Sequence, residues 1–108
     1  MAPRKLSLPA IRRALSAIPG LEEGTSYRTP AWRWKKKLLV RIHQDGVSIV
    51  LWIGNETRDH LLQADPKTFF ASDHYRGTPA IQARLDCLSA ADLGKLARRA
   101  IENASLRS

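Results

Sequence analysis

Apolar positions recur with two different periods along this chain, and the changes of period divide it into elements. Leu8, Ile11, Leu15 and Ile18 repeat every three or four residues, which predicts an amphipathic helix from Leu8 to Ile18 with Arg12 and Arg13 beside the stripe. Ser7 can cap its start, Pro9 suits its first turn, and Pro19-Gly20 stops it. The stripe is narrow and carries no aromatic, so packing on a sheet is favoured over lying on a membrane surface.

Beyond Gly24 the period shortens. Ser26 to Thr29 and Ala31 to Lys35 read as extended, and Pro30 between them predicts an edge strand or a bulge. Lys37 to His43 alternates, with Leu38, Val40 and Ile42 on one face and Lys37, Leu39, Arg41 and His43 on the other. Gln44-Asp45-Gly46 predicts a hairpin turn. The return strand, Val47 to Ile53, sets Val47, Ile49, Leu51 and Ile53 opposite Ser48, Val50 and Trp52. A second helix is predicted over Glu56 to Ala64, capped by Asn55 and closed by Asp65-Pro66. Phe69 to Ala71 reads as a short strand and Asp73 to Pro79 as a loop. Ala80 to Asp86 alternates again, with Ile81, Ala83 and Leu85 opposite Gln82 and Arg84. Ser89 with Asp92 opens a last helix whose apolar face is Leu93, Leu96, Ala97, Ala100 and Ile101.

The order is helix, three strands, helix, two strands, helix. Directly joined hairpins imply a mostly antiparallel sheet, and three helices can cover only one of its faces. The expected fold is therefore a two-layer α+β domain spanning residues 1–108. Its predicted core is Ile11, Leu15, Leu38, Val40, Ile42, Ile49, Leu51, Ile53, Leu62, Ile81, Leu85, Leu93, Leu96 and Ile101. The open face of the sheet is expected to carry Lys37, Arg41, His43, Trp52, Gln82 and Arg84.

Composition agrees with a single domain: 108 residues, 44% hydrophobic and 26% charged, enough for one core. Charge changes the picture more. The 18 Lys and Arg exceed the 10 Asp and Glu, a net charge of +8 that points to anionic partners. Between Glu23 and Asp45 there is no acidic residue, and six cations fall there: Arg28, Arg33, Lys35, Lys36, Lys37 and Arg41. The other 12 cations nearly balance the 10 carboxylates. Trp32 and Trp34 share one side of their strand, Arg33 and Lys35 the other. Interleaved cations and aromatics can grip phosphates and stack on bases, but a turn of solvated lysines over two buried tryptophans fits the pattern equally well.

Other chemistry is sparse. No apolar run nears the roughly 20 residues that span a bilayer, so no membrane partner is expected. The lone cysteine, Cys87, cannot form an internal disulfide, in keeping with a reducing cytoplasm. His43, His60, His74 and Cys87 lack the spacing of a zinc site, and no phosphate loop or nucleophile motif occurs. Neither a cofactor nor an enzymatic activity is expected. Asp73-His74-Tyr75-Arg76-Gly77 is the loop densest in reactive side chains; it can serve acid–base or phosphate chemistry, or hold a turn together.

Gly24 to Trp32, and Asp65-Pro66 with Phe69-Phe70, Asp73 to Gly77 and Arg84-Leu85, resemble the two signatures of the MmcQ/YjbR family of small bacterial proteins. Gly24-Thr25-Ser26-Tyr27-Arg28-Thr29-Pro30-Ala31-Trp32 is similar to the first, with Pro19-Gly20-Leu21-Glu22-Glu23 ahead of it. Asp65-Pro66, Phe69-Phe70, Asp73 to Gly77 and Arg84-Leu85 are similar to the second. The resemblance covers nearly the whole chain. It implies a secretion-chaperone-like two-layer fold and a "double wing" role in DNA binding, and it sets Thr29, Pro30, Trp32, Lys37, His74, Tyr75, Gly77 and Arg84 at signature positions. Lys36 stands where the family tends to have glycine, and Trp32 where it usually has phenylalanine.

The expectation that follows is a non-enzymatic DNA-binding module. Arg33, Lys35, Lys36, Lys37 and Arg41, on a basic strand-turn-strand wing, would contact phosphates, flanked by Arg28, His74, Tyr75, Arg76 and Arg84. One alternative is a protein-interaction or adaptor domain, or a homodimer, using an edge strand or an apolar patch around Leu39, Val50 and Trp52. Another is a small-ligand binder or enzyme at Asp73, His74 and Tyr75 with Arg84 nearby, which needs a concave pocket.

Overall fold

A computed structural model describes residues 5–106. Helix α1, Leu8–Ser16, opens with the Ser7 hydroxyl accepting the Ala10 N–H at 3.3 Å, and it buries Ile11 and Leu15. It ends two residues before Ile18, because a residue preceding proline is pushed out of helical conformation.

Four strands follow rather than three. β1 (Leu21–Ser26) was not legible in the sequence, since its side chains are mostly exposed and only Leu21 is aliphatic. It pairs antiparallel with β2 (Thr29–Trp34), Ser26 opposite Thr29, so Ser26 to Thr29 reverses direction instead of running extended. Tyr27 and Arg28 form that turn with φ of 51° and 68°. β3 (Lys37–Ile42) pairs with β2 through a second two-residue turn, Lys35 and Lys36, with φ of 49° and 69°. Positive φ at both central positions marks the tight type I′ hairpin, normally built from Asn-Gly. Pro30 is not on an edge strand, because β2 is paired on both sides. The register shift falls two residues beyond it, where Trp32 faces Val40 and Arg33 faces Leu38.

That bulge corrects the face assignment of β3. Leu39 has no partner in the ladder, so Leu39 and Val40 both enter the core, at 3% and 0% exposure. Leu38 lies outside that core and is half-buried, and Lys37 is turned towards the helices. The remaining strands are β4 (Ser48–Trp52), β5 (Phe69–Phe70) and β6 (Ala80–Arg84). They complete a six-stranded antiparallel sheet of order β1-β2-β3-β4-β6-β5.

Helix α2 (Asn55–Ala64) begins one residue earlier than predicted. Its N-cap is Gly54 at φ +97°, and Asn55 makes no side-chain cap. Helix α3 (Ala90–Leu106) starts as predicted, the Ser89 hydroxyl accepting the Asp92 N–H at 3.0 Å. The three helices cover one face of the sheet, enclosing Ile11, Leu15, Trp32, Val40, Ile49, Leu51, Ile53, Ile81 and Leu93. Ile42, Leu62, Leu96 and Ile101 pack at the margin of this core. Trp32 is 1% exposed and its indole N–H meets no acceptor among the described residues, a rare orphan in so dry a place. The sheet's other face is not bare. The chain from Ala71 to Pro79 folds across it, and Tyr75 packs on Val50 and Ala80 with Trp52 alongside.

Candidate functional site

Ten residues were singled out by the sequence, and the fold sends them to several places. Lys35 and Lys36 form the exposed β2–β3 tip, where the Lys35 ammonium lies 4.6 Å from the centre of the Trp34 ring. Lys37 leaves that tip: its Nζ donates to the Ala104 carbonyl at the C-terminal end of α3, 3.4 Å away, rather than standing on the open face. A cation there also meets the negative end of the helix dipole. Arg33 is half-buried and crosses towards β1, donating to the Thr25 carbonyl at 3.3 Å. Arg28 is exposed at the β1–β2 tip. The two tips are at opposite ends of β2, separated by roughly 20 Å at the usual rise of a strand.

Arg84 lies over the Phe70 ring at 4.4 Å, and Arg76 pairs with Asp73 at 3.1 Å on the surface. Neither joins the lysine tip. Trp32 and Trp34 do share a face, as the alternation required, but that face is the core side of the sheet, where Trp32 is buried and Trp34 is half-buried beside the core. Leu39, Val50 and Trp52 make no exposed apolar patch, because Leu39 is in the core and the Tyr75 cluster covers the other two.

What does converge is at the opposite end of β3. The β1–β2 turn and the β3–β4 turn lie side by side there, and the Ser72–Tyr75 stretch comes down beside them. Together they enclose a cleft of about 830 Å³ lined by Tyr27, Arg41, His43, Gln44, Ser72, Asp73, His74 and Tyr75. Arg41 forms its floor at 3% exposure. Its Nη1 donates to the Tyr75 hydroxyl at 2.7 Å, its Nη2 to the Gln44 side-chain oxygen, and its Nε to the Ser26 carbonyl at 3.5 Å. The Tyr27 ring covers the guanidinium at 5.0 Å. His43 and His74 meet Tyr75 edge to face at 5.9 and 4.8 Å. Arg41 is therefore a buried group within a cleft, not part of an exposed wing.

A polar chain holds this cleft in shape. Asp45 accepts hydrogen bonds from the Val47 and Ser48 amides and from the Ser48 hydroxyl. Partial burial raises the Asp45 pKa, but these bonds, together with the His43 charge, outweigh it and hold the carboxyl below its ordinary 3.8. Ser48 in turn accepts from Gln82 Nε2 at 3.2 Å, and Gln82 Oε1 accepts the Ser72 N–H at 2.9 Å. The Ser72 carbonyl then receives the Tyr75 and Arg76 amides. Position of the Tyr75 ring is thus tied, link by link, to the β3–β4 turn.

The sequence named Arg41, His74 and Tyr75 but missed Tyr27, Gln44 and Ser72 as partners. No periodicity marks them; only the adjacency of two turns brings them together. Cys87 is exposed, and beside Asp86 its thiol pKa is raised by the hydrogen bond to that carboxylate. Among the described residues no three His, Cys, Asp or Glu side chains gather as a metal site. No described helix is long and apolar enough to cross a membrane.

These features define a class, an open antiparallel sheet backed by three helices with a loop-covered cleft on its other face. Among solved structures the chain is similar to the crystal structure of Deinococcus radiodurans protein DR2400, which has the family-model domain DUF419. The TM-score is 0.73 at 18% identity, covering 97% of this chain and 83% of that one. At that identity the likeness shows the fold alone. No family model and no curated protein matches the chain.

Proposed function

We propose that this protein is an MmcQ/YjbR-like module that binds DNA through the phosphate backbone, using the β1–β2–β3 face. DUF419 is the MmcQ/YjbR-like domain class, so the fold and the sequence signatures point the same way. One observation carries the reading. The two hairpin tips, Tyr27-Arg28 and Lys35-Lys36, hold bulky, exposed residues in the left-handed conformation where glycine or asparagine would be easier. Each such residue costs about 1–2 kcal/mol, and strain of this kind is characteristic of functional positions. With Arg33 between them, the tips set cations along roughly 20 Å, the axial length of about six base pairs of duplex.

Contacts of this sort give affinity without base choice. Binding to duplex DNA is expected to weaken with a log–log salt slope of roughly −4 to −5 for four to six phosphates. Alanine at both Lys35 and Lys36 is expected to reduce the affinity and flatten that slope by about 1–2, measured by titration at two salt concentrations. An unchanged slope sinks the assignment. Lys37→Ala is expected to matter less, because its ammonium is engaged by the Ala104 carbonyl.

A further inference from the structure

We propose that the cleft between the Tyr27-Arg28 turn and the Ser72–Tyr75 stretch binds a nucleotide phosphate, with Arg41 as the anion anchor. This site shares the Tyr27-Arg28 turn with the proposed DNA-binding track but uses nothing of the Lys35-Lys36 tip at the other end of β2.

The argument starts from an unbalanced charge. A buried guanidinium normally has a carboxylate beside it, because taking a cation out of water is expensive. Arg41 is 3% exposed, yet no Asp or Glu of the described residues is paired with it. Its three acceptors among the described residues, the Tyr75 hydroxyl, the Gln44 amide and the Ser26 carbonyl, are all neutral. Arginine has five N–H donors, so two have no acceptor among the described residues. The Tyr75 hydroxyl accepts from Arg41, and its own proton goes to no described residue. One anionic oxygen in the cleft would receive both the spare guanidinium N–H groups and the Tyr75 proton, and it would neutralise the charge.

Size and walls define the rest of the ligand. The volume of about 830 Å³ is far more than a bare phosphate fills and suits a small organic molecule. The Tyr27 ring, 81% exposed, lies with one face on Arg41 and the other open. A flat heterocycle can stack on that open face while its phosphate reaches Arg41, and His74 lies exposed on the opposite wall. The same chemistry is presented by a free nucleoside monophosphate and by the 5′-phosphorylated end of a strand.

Calorimetric titration of the full chain with adenosine 5′-monophosphate, inorganic phosphate and adenosine tests this. The monophosphate is expected to bind about tenfold more tightly than inorganic phosphate, and adenosine not measurably. Arg41→Met is expected to weaken monophosphate binding by about tenfold or more. Tyr27→Ala alters an exposed side chain and leaves the core intact; it is expected to weaken the monophosphate but not inorganic phosphate. A 5′-phosphorylated tetrathymidylate, compared with its 5′-hydroxyl form, separates the two sources: a preference for the phosphorylated strand with no binding of the free nucleotide assigns the site to a strand end. Equal binding by wild type and Tyr27→Ala overturns the proposal. So does failure of both the monophosphate and the phosphorylated strand to bind. The Lys35 and Lys36 double alanine variant is expected to keep its monophosphate affinity, so loss of DNA binding and loss of the cleft are read separately.

Discussion

Gln82 bridges Ser48 and Ser72, donating from Nε2 to the serine hydroxyl at 3.2 Å and accepting the Ser72 amide at 2.9 Å, with its own exposure at 1%. A single buried amide thereby links β4 to the loop that covers the sheet. Gln82→Leu is expected to strand the Ser72 N–H and remove the Ser48 partner, costing about 2–4 kcal/mol. Urea unfolding measures that cost, and hydrogen exchange at Tyr75 and Arg76 should accelerate with it. A stability change within about 0.5 kcal/mol would show that the bridge does not hold the loop.

Much of this architecture was readable in the chain, and the misses have common causes. β4, β6 and α3 followed the periodicity because each has one continuously buried face, as Ile49 and Leu51 or Ile81 and Ala83 show. β1 was invisible because its side chains make no such face; its pairing with β2 defines it. The Tyr27-Arg28 turn was not legible because it carries none of the glycine or asparagine that signals positive φ, and the Lys35-Lys36 turn, legible as a lysine-rich tip, hid its left-handed backbone for the same reason. The cleft was half legible. Tyr75 and His74 stood out as a dense loop, and Arg41 as one of six clustered cations, but nothing local shows that Arg41 is the buried one. That follows from the loop folding back over the sheet, a tertiary event without a sequence period.

The bulge at Leu39 gives a direct test of the corrected register. Leu39→Ala removes a core side chain at 3% exposure and is expected to cost about 2–5 kcal/mol. Leu38→Ala, at a half-buried position outside the core, is expected to cost about 1 kcal/mol. Chemical denaturation of the two variants decides between registers, since strict alternation through β3 would reverse the order.

Asp45 makes stability depend on pH in the acid range. Its folded pKa is below the ordinary 3.8, so the folded state binds its proton less readily than the unfolded chain does. The sign follows: its contribution is fully present above about pH 4 and is lost as pH falls through the lowered folded value. Asp45→Asn is therefore expected to be less stable than wild type at pH 6, with the gap narrowing as the pH falls below 3.8. Thermal melts across that range check it. A gap that stays constant would mean that the charge on Asp45 adds nothing.

Gly54 is the residue least open to change at the start of α2. Its φ of +97° disfavours any side chain, and a Cβ would come 2.6 Å from the Asn103 side-chain oxygen on α3. Gly54→Ala is expected to cost about 2 kcal/mol or more, the strain and the clash together. Adding Asn103→Ala removes the clash alone and is expected to recover only part of the loss. Full recovery in the double variant would show that the backbone conformation carries no cost.

The lysine tip sets stability against binding. Lys35 and Lys36 occupy the two central positions of a type I′ turn, where Asn-Gly is the best-suited pair. Lys35→Asn with Lys36→Gly is therefore expected to raise stability by about 1 kcal/mol or slightly more, because glycine accepts positive φ at no steric cost and asparagine at little. The same change removes two of the exposed cations on the proposed track, so affinity for duplex DNA should fall and its salt dependence flatten. Opposite movements of the two quantities in one protein are what a tip kept for binding requires. If the variant is more stable and binds DNA unchanged, the lysines there are ordinary surface residues. If it is less stable, the turn depends on the lysines in a way that its backbone angles do not convey.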